Sequence, residues 1–300
     1  MAELEIRRMG RTGMRPKALG LGAAWLWNSD DTIEAIHRAI ELGINYLDTY
    51  PGHDENRWGE VLKGELREKV YLQAKVGTHP QRLKDFSAAG ARWSVENSLK
   101  ELRTDYLDAV LIHDPVDIED VLAPCCALDE LLKMKDEGAV RHIGLGVRSH
   151  EFHRRAIETG HIDIVLTFLD YTLLNQSVAR TTLPLAREHD VGIILASPLG
   201  MGMLTGVEPE LETEQRRHPE SKPRAHEMWK WCQERGVNLR HLAMQFCLAA
   251  PIDGIVMFGP ANTQQVNEGY EAATADIPSE IWRDFEAEFG VGPGHAISFK

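Results

Sequence analysis

Eight short apolar runs alternate along this chain with longer amphipathic stretches. Each run has about the length of a strand buried on both faces, which is the sequence pattern of a parallel sheet covered by helices. The runs occupy residues 18–22, 44–48, 70–75, 106–113, 141–146, 162–166, 191–196 and 253–258. Between them lie helical patterns, of which the clearest occupy residues 31–41, 86–102, 125–135 and 238–248. Strand and helix repeated eight times predict an α/β fold, a (β/α)8 TIM barrel.

A doubly wound sheet would have a similar composition, so the first strand helps to decide between the two folds. Gly20 and Gly22 lack the third glycine of the Gly-x-Gly-x-x-Gly turn that opens such a sheet. Ahead of the first run, residues 9–14 predict two short strands about a glycine turn, an N-terminal β-hairpin that caps the bottom of the barrel. The polar, proline-interrupted residues 205–224 predict a loop. Because no linker interrupts the pattern, we expect residues 1–300 to form a single barrel domain.

The charge balance excludes several classes of function. Lys and Arg number 33 against 46 Asp and Glu, a net charge of −13, whereas a nucleic-acid-binding protein needs a basic face. No apolar run approaches the roughly 20 residues that cross a bilayer, and the amino terminus shows no apolar signal region. The four cysteines have no Cys-x-x-Cys spacing and indicate a reducing compartment. We expect a cytoplasmic enzyme that binds neither nucleic acid nor membrane, with its oligomeric state left open.

Active sites of (β/α)8 barrels lie at the carboxyl ends of the strands, and three predicted strands end in polar residues. These are Asp48, Lys75 and His113, on the second, third and fourth strands. A lysine is costly to bury without a partner, and Asp48 lies one strand away. Two interpretations stay open: a catalytic pair, or a structural ion pair of the kind that occurs without catalysis. His113 at the same level favours the catalytic interpretation.

Four motifs, in order along the chain, resemble those of the aldo-keto reductase family. Residues 93–113 resemble the family's signature from the third helix to the fourth strand, and residues 43–49 resemble its second strand. Residues 197–206 and 259–265 resemble its two cofactor loops. The sequence is therefore identified as a divergent aldo-keto reductase over nearly its whole length. The resemblance implies hydride transfer between a nicotinamide and a carbonyl carbon.

The family's site contains an Asp, a Tyr, a Lys and a His, and three of the four are matched here. By resemblance, Asp48 holds Lys75, Lys75 tunes the Tyr, and His113 orients the carbonyl. The family's Tyr lies five residues after the Asp, where this chain has His53, whereas Tyr50 lies only two residues after it. We expect His53 to point into the pocket, with Tyr50 on a shortened loop as the alternative. A neutral His beside a lysine is a better base than acid.

The resemblance also implies a nicotinamide nucleotide, NADP or NAD, held by the two loops. The residues that it assigns to the cofactor are Ser197, Leu199, Gly200, Gly202, Gly259, Asn262 and Gln265. Gln265 stands where many members have an Arg for the 2′-phosphate. Arg148 and Phe168 replace the Asn and Gln that usually meet the nicotinamide carboxamide, so cofactor placement departs from the family pattern.

Two functions are compatible with these residues. The first is an NAD(P)-dependent oxidoreductase that acts on a small carbonyl, hydroxy or sugar substrate. The alternative is a redox-neutral lyase, epimerase or isomerase that uses Asp48, Lys75, His53 and His113 for acid–base chemistry. A binding barrel without catalysis is disfavoured, because it has no need of a buried Lys–Asp pair.

Two further patterns are weaker. Histidines and acidic residues of three loops, among them His53 and His79, do not have the spacing of a known ligand set, so we predict no metal. Trp25, Trp27 and Trp58 are compatible with an aromatic wall for a sugar ring at the mouth, and equally with ordinary packing at the rim.

Overall fold

Eight parallel strands close into a barrel in the order of the sequence, which confirms the (β/α)8 prediction. The structure is a computed structural model that describes residues 3–26, 30–209 and 219–293. The strands are β1 (Leu19–Gly22), β2 (Tyr46–Asp48), β3 (Tyr71–Val76), β4 (Leu107–His113), β5 (Val140–Gly146), β6 (Ile164–Phe168), β7 (Gly192–Ala196) and β8 (Gly254–Phe258).

Helices connect the strands and pack on the outside of the barrel. Within the described residues they are α1 (Thr32–Glu41), α2 (Glu55–Val61), α3 (Glu65–Glu68), α4 (Ala88–Leu102), α5 (Glu119–Leu122), α6 (Ala127–Asp136), α7 (His150–Glu158), α8 (Thr182–Glu188), α9 (Lys222–Arg235), α10 (Leu239–Leu248), α11 (Thr263–Ala273) and α12 (Ser279–Phe289). α9 begins inside the segment predicted as a loop, of which residues 210–218 lie outside the described residues. In the part of the chain that the structure describes, no helix is both long and apolar enough to cross a bilayer.

Two apolar clusters stabilise the barrel. One fills its interior with strand side chains such as Leu111, Ile194 and Ile255, together with Met9 and Met14 from the N-terminal segment. The other lies between the strands and the surrounding helices. Burying one such side chain contributes about 1.5–3 kcal/mol, so the two clusters supply the main favourable term in folding.

The N-terminal segment closes the bottom of the barrel, with less regular structure than two strands. Its antiparallel pairing is a single bridge between Ile6 and Lys17, and a 3-10 turn occupies Gly10–Thr12. Gly10 has a φ of +48°, and a Cβ at this residue would lie 2.3 Å from the Gly192 nitrogen. Any side chain there would push the segment away from the start of β7.

The strand register brings the predicted polar residues to one end of the barrel. Asp48 at the end of β2 pairs with Gln73 of β3, and Lys75 lies two residues further along β3 on the same face. His113 ends β4. Because all eight strands are parallel, the loops that follow β2, β7 and β8 open on this same end.

Candidate active site

A buried ion pair lies at the carboxyl ends of β2 and β3. The Lys75 ammonium donates to Asp48 Oδ1 at 2.5 Å, and the two side chains are 4% and 8% exposed. Gln73 Nε2 donates to the same oxygen at 2.6 Å, and Tyr46 OH donates to Gln73 Oε1 at 2.8 Å. Two donors therefore fix the Asp48 carboxylate, which in turn holds the ammonium in one position. The Lys75–Asp48 pair was predicted from the sequence, whereas Gln73 and Tyr46 were not.

The Lys75 ammonium also has a backbone acceptor. It donates to the carbonyl of Thr49, and the Thr49 N–H donates to the Gln73 carbonyl at 2.9 Å. Moving an isolated charge out of water costs several kcal/mol, and these acceptors compensate for that cost. Two of the three ammonium N–H groups are thus used by Asp48 and by the Thr49 carbonyl, and the positive charge is held at the carboxyl ends of β2 and β3.

One aromatic ring, that of Tyr50, lies over this ammonium, and two histidine rings lie beside Tyr50. Lys75 Nζ lies 5.4 Å from the ring centre of Tyr50, within the range of a cation–π contact. The ring centres of His53 and His113 lie 4.8 Å and 6.2 Å from that of Tyr50. The structure therefore brings together all five predicted catalytic residues, including Asp48. Both candidates for the proton-transfer ring belong to the cluster: Tyr50 lies over Lys75, and His53 packs against Tyr50.

A tight turn determines the path of the loop that carries Tyr50 and His53. The His53 N–H donates to the Tyr50 carbonyl at 3.0 Å, and Gly52 and Asp54 have φ of +83° and +59°. A Cβ at Gly52 would lie 2.3 Å from Pro80 Cδ. Glycine is therefore required where this loop packs against the loop that follows β3.

A buried carboxyl that the sequence analysis did not assign to catalysis lies beside this loop. Glu55, the first residue of α2, is 3% exposed. It accepts hydrogen bonds from the Thr49 hydroxyl at 2.7 Å and from the Ser98 hydroxyl at 2.9 Å. Burial raises the pKa of Glu55 to about 7, although the two hydroxyls and the charge of Lys75 oppose the rise. An acidic residue in the first turn of a helix is common, so the sequence signal for this residue is weak.

A groove of about 480 Å³ lies at the same end of the barrel, between the loops that follow β7 and β8. Six of the seven predicted cofactor residues line it, namely Ser197, Leu199, Gly202, Gly259, Asn262 and Gln265. The seventh, Gly200, is buried within the β7 loop. Charged side chains from α10 and α11 also line the groove, Arg240 and Glu268, and both were missed from the sequence.

The backbone of this groove suits a phosphate-bearing ligand. Ser197, Met201 and Gly202 have φ of +60°, +54° and +101°, and turns of this kind direct successive N–H groups towards one side. α11 begins at the groove, where Asn262 Oδ1 accepts a hydrogen bond from the Gln265 N–H at 2.9 Å. Helix N-termini attract anions. The volume, the turn and the helix end fit a nicotinamide nucleotide.

One of the residues that depart from the family pattern, Arg148, is held by a carboxylate. It follows β5, and its Nη2 donates to Asp170 Oδ1 at 2.7 Å. The guanidinium lies 5.8 Å from the ring centre of Phe168, and the Thr167 hydroxyl donates to the other Asp170 oxygen at 2.7 Å. A guanidinium only donates, whereas the Asn that it replaces also accepts. If the nicotinamide carboxamide lies at Arg148, its oxygen would therefore accept the hydrogen bond.

Two of the three tryptophans considered from the sequence as an aromatic wall, Trp25 and Trp58, lie in different environments. Trp58 is 1% exposed and belongs to the core, whereas Trp25 is 55% exposed and lines the groove. Trp27 lies outside the described residues. Within residues 3–26, 30–209 and 219–293, no three or more His, Cys, Asp and Glu side chains are arranged to hold a metal ion.

The chain is similar to several known proteins. The sequence model of the Aldo/keto reductase family matches residues 18–287. L-galactose dehydrogenase from Arabidopsis thaliana is 31% identical over 294 residues, which cover 91% of this chain and 89% of the relative. D-threo-aldose 1-dehydrogenase from a Pseudomonas species is 29% identical, covering 91% of this chain and 94% of the relative. The holo form of aldo-keto reductase AKR11C1 from Bacillus halodurans is 24% identical, and its fold matches with a TM-score of 0.78 over 98% of this chain and 100% of that chain.

The family match spans all eight strands and both loops of the groove, and the similarity to the plant enzyme extends over most of both chains. The strand ends of the same chain also bring the expected polar residues together. A shared fold alone does not explain both observations. The chain belongs to the aldo/keto reductase family and is an oxidoreductase.

Proposed function

We propose that this protein oxidises a small sugar or related hydroxy compound, or reduces the corresponding carbonyl, with a nicotinamide nucleotide as hydride carrier. The observation that carries the proposal is that the Lys75–Asp48 pair and the groove open on the same end of the barrel. β1 lies between the two, because Gly22 pairs with Asp48 and a Cβ at Gly259 would lie 3.7 Å from the Gly22 carbonyl. The ion pair and the groove are therefore parts of one site.

The residues over the ammonium have the chemistry that such a reaction needs. A bound nicotinamide would take the hydride from the carbon of the hydroxyl group, or return it to a carbonyl carbon. His53, with Tyr50 as the alternative, takes the hydroxyl proton as the hydride leaves. Lys75 stabilises the negative charge that develops on the substrate oxygen. His113, with 16% of its side chain exposed at the rim, orients that oxygen.

The relatives and the rim of the pocket support a sugar as the substrate class. Two relatives are named L-galactose dehydrogenase and D-threo-aldose 1-dehydrogenase. The loops after β2, β3 and β4 carry His53, His79 and Asp114, which are groups that hydrogen-bond to several hydroxyls at once. An aldose offers such a set of hydroxyls beside its reacting carbon.

The charges in the groove favour NAD(H) over NADP(H). Arg240 Nη1 lies 3.1 Å from Glu268 Oε2, and Arg240 Nε donates to the Thr205 carbonyl at 3.0 Å. Gln265 stands where an Arg often meets the 2′-phosphate, and its Oε1 accepts from the Ala261 N–H at 2.8 Å. A 2′-phosphate would bring negative charge to a groove whose arginine is already paired with a carboxylate. We infer that the nucleotide is NAD(H).

Nucleotide binding to the purified chain tests the proposal. We expect NADH to raise Tm, since a ligand at 100 times its Kd adds about 2.7 kcal/mol of stability. Titration calorimetry should give NADPH a Kd at least about tenfold weaker, which corresponds to about 1.4 kcal/mol. With NAD present, an aldose panel should yield NADH, followed by its absorbance. Failure of both nucleotides to bind would contradict the proposal and favour the redox-neutral alternative.

A substitution on α11 tests the nucleotide preference itself. Gln265→Arg should narrow the difference between the Kd values for NADH and NADPH, because it adds a cation where the family often has one. Gln264→Arg adds the same charge one residue away and serves as the control for nonspecific attraction. Tighter binding of NADPH than of NADH by the parent chain would contradict the inferred preference.

A further inference from the structure

The buried carboxyl of Glu55 closes the base of the loop that carries both candidate rings. Loop residues 50–54 lie between Thr49 and Glu55, and the Thr49 hydroxyl joins the two ends by donating to Glu55 Oε1 at 2.7 Å. The second carboxyl oxygen accepts from Ser98 of α4 at 2.9 Å. Glu55 is 3% exposed, so little water competes for these bonds. The loop is therefore anchored at its base to the helix layer outside the barrel.

Thr49 connects this base to the Lys75 ammonium. Its carbonyl accepts a hydrogen bond from Lys75, and its N–H donates to the Gln73 carbonyl. Any shift of Thr49 would move an acceptor of Lys75 together with the residue that starts the loop. Glu55 is bonded to the Thr49 side chain, and in this arrangement it acts on the ammonium mainly through Thr49.

We propose that Glu55 is a positioning residue, which holds Thr49 against the Lys75 ammonium and fixes the loop that carries the proton-transfer ring. The inference rests on the proposed function, because ring placement matters to a rate only if a reaction occurs over Lys75. Two residues of this loop, Gly52 and Asp54, have left-handed φ, so its conformation depends on contacts that hold it. Misplacement of a reacting group by about 1 Å can cost about 10²-fold in rate.

The partners of Glu55 make this anchor sensitive to pH. The Thr49 hydroxyl has one proton and lies 2.7 Å from Glu55 Oε1 and 3.1 Å from the Gln73 carbonyl. It donates to Glu55 when the carboxyl is ionised, and it can donate to Gln73 when Glu55 is protonated and itself a donor. Burial raises the pKa of Glu55 to about 7; Lys75 from β3 opposes this rise and Glu101 from α4 adds to it. The hydrogen bond between Thr49 and Glu55 can therefore reverse its direction near neutral pH, while Ser98 continues to donate to the other carboxyl oxygen.

Glu55→Gln and Thr49→Val test the inference in the whole chain. The first keeps the size of the side chain without its ionisation, and the second removes the hydroxyl without changing the shape. We expect kcat to fall at least about tenfold in each, because the ring is misplaced, while KM for the nucleotide changes little. The midpoint of the kcat–pH profile should move by about half a unit or more in Glu55→Gln. Hydrogen exchange of amides 50–54, measured without nucleotide, should be faster in both variants.

A matched control removes a different buried hydroxyl from the same helix. Ser94 is 1% exposed, and its hydroxyl donates to the Gly90 carbonyl within α4. Ser94→Ala should therefore leave kcat, the pH profile and the exchange of amides 50–54 at the parent values. If Glu55→Gln does not fold, Thr49→Val carries the same measurements.

The outcomes separate this inference from the proposed function. Unchanged exchange of the loop in both variants would overturn the inference, whether or not the parent turns over a substrate. Faster exchange with an unchanged kcat and pH profile in an active enzyme would overturn it too, since the anchor would have no effect on the reaction. If the parent is inactive with both nucleotides, the proposed function fails, and faster exchange still supports Glu55 as the anchor of the loop.

Discussion

Buried carboxylates lie at both ends of the barrel, and their partners differ. At the amino-terminal end, Asp163 accepts hydrogen bonds from Lys135 at 2.7 Å and from Arg11 at 3.0 Å. Asp108, at the same end, accepts from Arg67 at 2.9 Å and from a second arginine at 2.8 Å. At the carboxyl-terminal end, the hydrogen bonds to Glu55 come from hydroxyl groups. At the carboxyl-terminal end Asp48 likewise has a cation as its partner, Lys75, whereas Glu55 is held by neutral hydroxyl donors.

This difference in partners appears in the pKa values. Burial alone would raise the pKa of Asp163, but hydrogen bonds from His142 and Lys135 hold it well below its usual range. Burial raises the pKa of Glu55 to about 7, because hydroxyl donors compensate less than cations do. A carboxylate saturated by cations stabilises the fold at neutral pH and exchanges no proton there. Of these two carboxyls, Glu55 is therefore the one that can exchange a proton near neutral pH.

Removing the cation of the catalytic end should have the largest effect. Lys75→Met leaves the Asp48 charge buried without its ammonium, so we expect kcat/KM to fall by about 10³-fold and the unfolding free energy to fall by about 3–5 kcal/mol. Steady-state kinetics and urea unfolding measure the two effects. Lys69→Met is the control, because the Lys69 side chain is 62% exposed and lies 3.8 Å from Glu65. Activity within about tenfold of the parent, or about 1.4 kcal/mol of barrier, would make the Lys75 pair a structural bridge like those of the other end.

Separate substitution of the two candidate proton-transfer residues, His53 and Tyr50, should have the next largest effect. We expect His53→Ala to lower kcat by about 10²-fold or more, the range of a general base. Tyr50→Phe should cost less than about tenfold, because Phe keeps the ring over the Lys75 ammonium. The kcat values of both variants on the same aldose show which of the two residues transfers the proton. The reverse order of losses would identify Tyr50 as the proton-transfer group on a shortened loop and leave His53 a packing role.

The fold was predictable because each strand is buried on both faces and therefore has a continuous apolar sequence. The predicted runs end within two residues of the observed strands, for example at residue 113 for β4 and 258 for β8. α9 was missed because Pro223 and the charges around it are typical of a loop. Proline is tolerated in the first turn of a helix, and Pro223 lies there.

From burial and spacing the site was predictable where a strand end places a side chain, and the residues of the groove were predicted from the resemblance of its two loops. Asp48, Lys75 and His113 satisfy this rule. Gln73 lies inside an apolar run and looked like part of the buried strand. The role of Glu55 depends on Ser98, which is 43 residues away in the sequence, and no local pattern indicates such a contact. Residues that act through tertiary hydrogen bonds were therefore the ones that the sequence analysis missed.

At the amino-terminal end, a substitution should change stability and leave catalysis unaffected. Asp163→Asn removes the charge that Lys135 and Arg11 share, so we expect the unfolding free energy at pH 7 to fall by about 2 kcal/mol with kcat unchanged. The folded pKa is lowered, so this stabilisation is present above the unfolded value of about 3.9 and is lost as pH falls through the folded value. Urea unfolding should show parent and variant converging in acid. Asp190→Asn, which breaks a half-exposed pair with Arg8, is the control and should cost less than about 1 kcal/mol. A lower kcat in Asp163→Asn would contradict the division between the two ends.

Glu55 should show the opposite dependence of stability on pH. Its folded pKa of about 7 lies above the unfolded value of about 4.3, so the folded state holds the proton more tightly. The stability that Glu55 contributes is fully present below the unfolded value and is lost as pH rises through the folded one. Each unit between the two pKa values corresponds to about 1.36 kcal/mol. Between these values the parent should therefore lose roughly 3–4 kcal/mol of unfolding free energy that Glu55→Gln does not lose, measured by urea unfolding at constant ionic strength. Ser94→Ala should retain the dependence of the parent. If the curves of unfolding free energy against pH are parallel for Glu55→Gln and the parent, Glu55 is ionised throughout, as Asp163 is at the other end. The contrast between the two ends would then depend on Lys75 and the rings beside it alone.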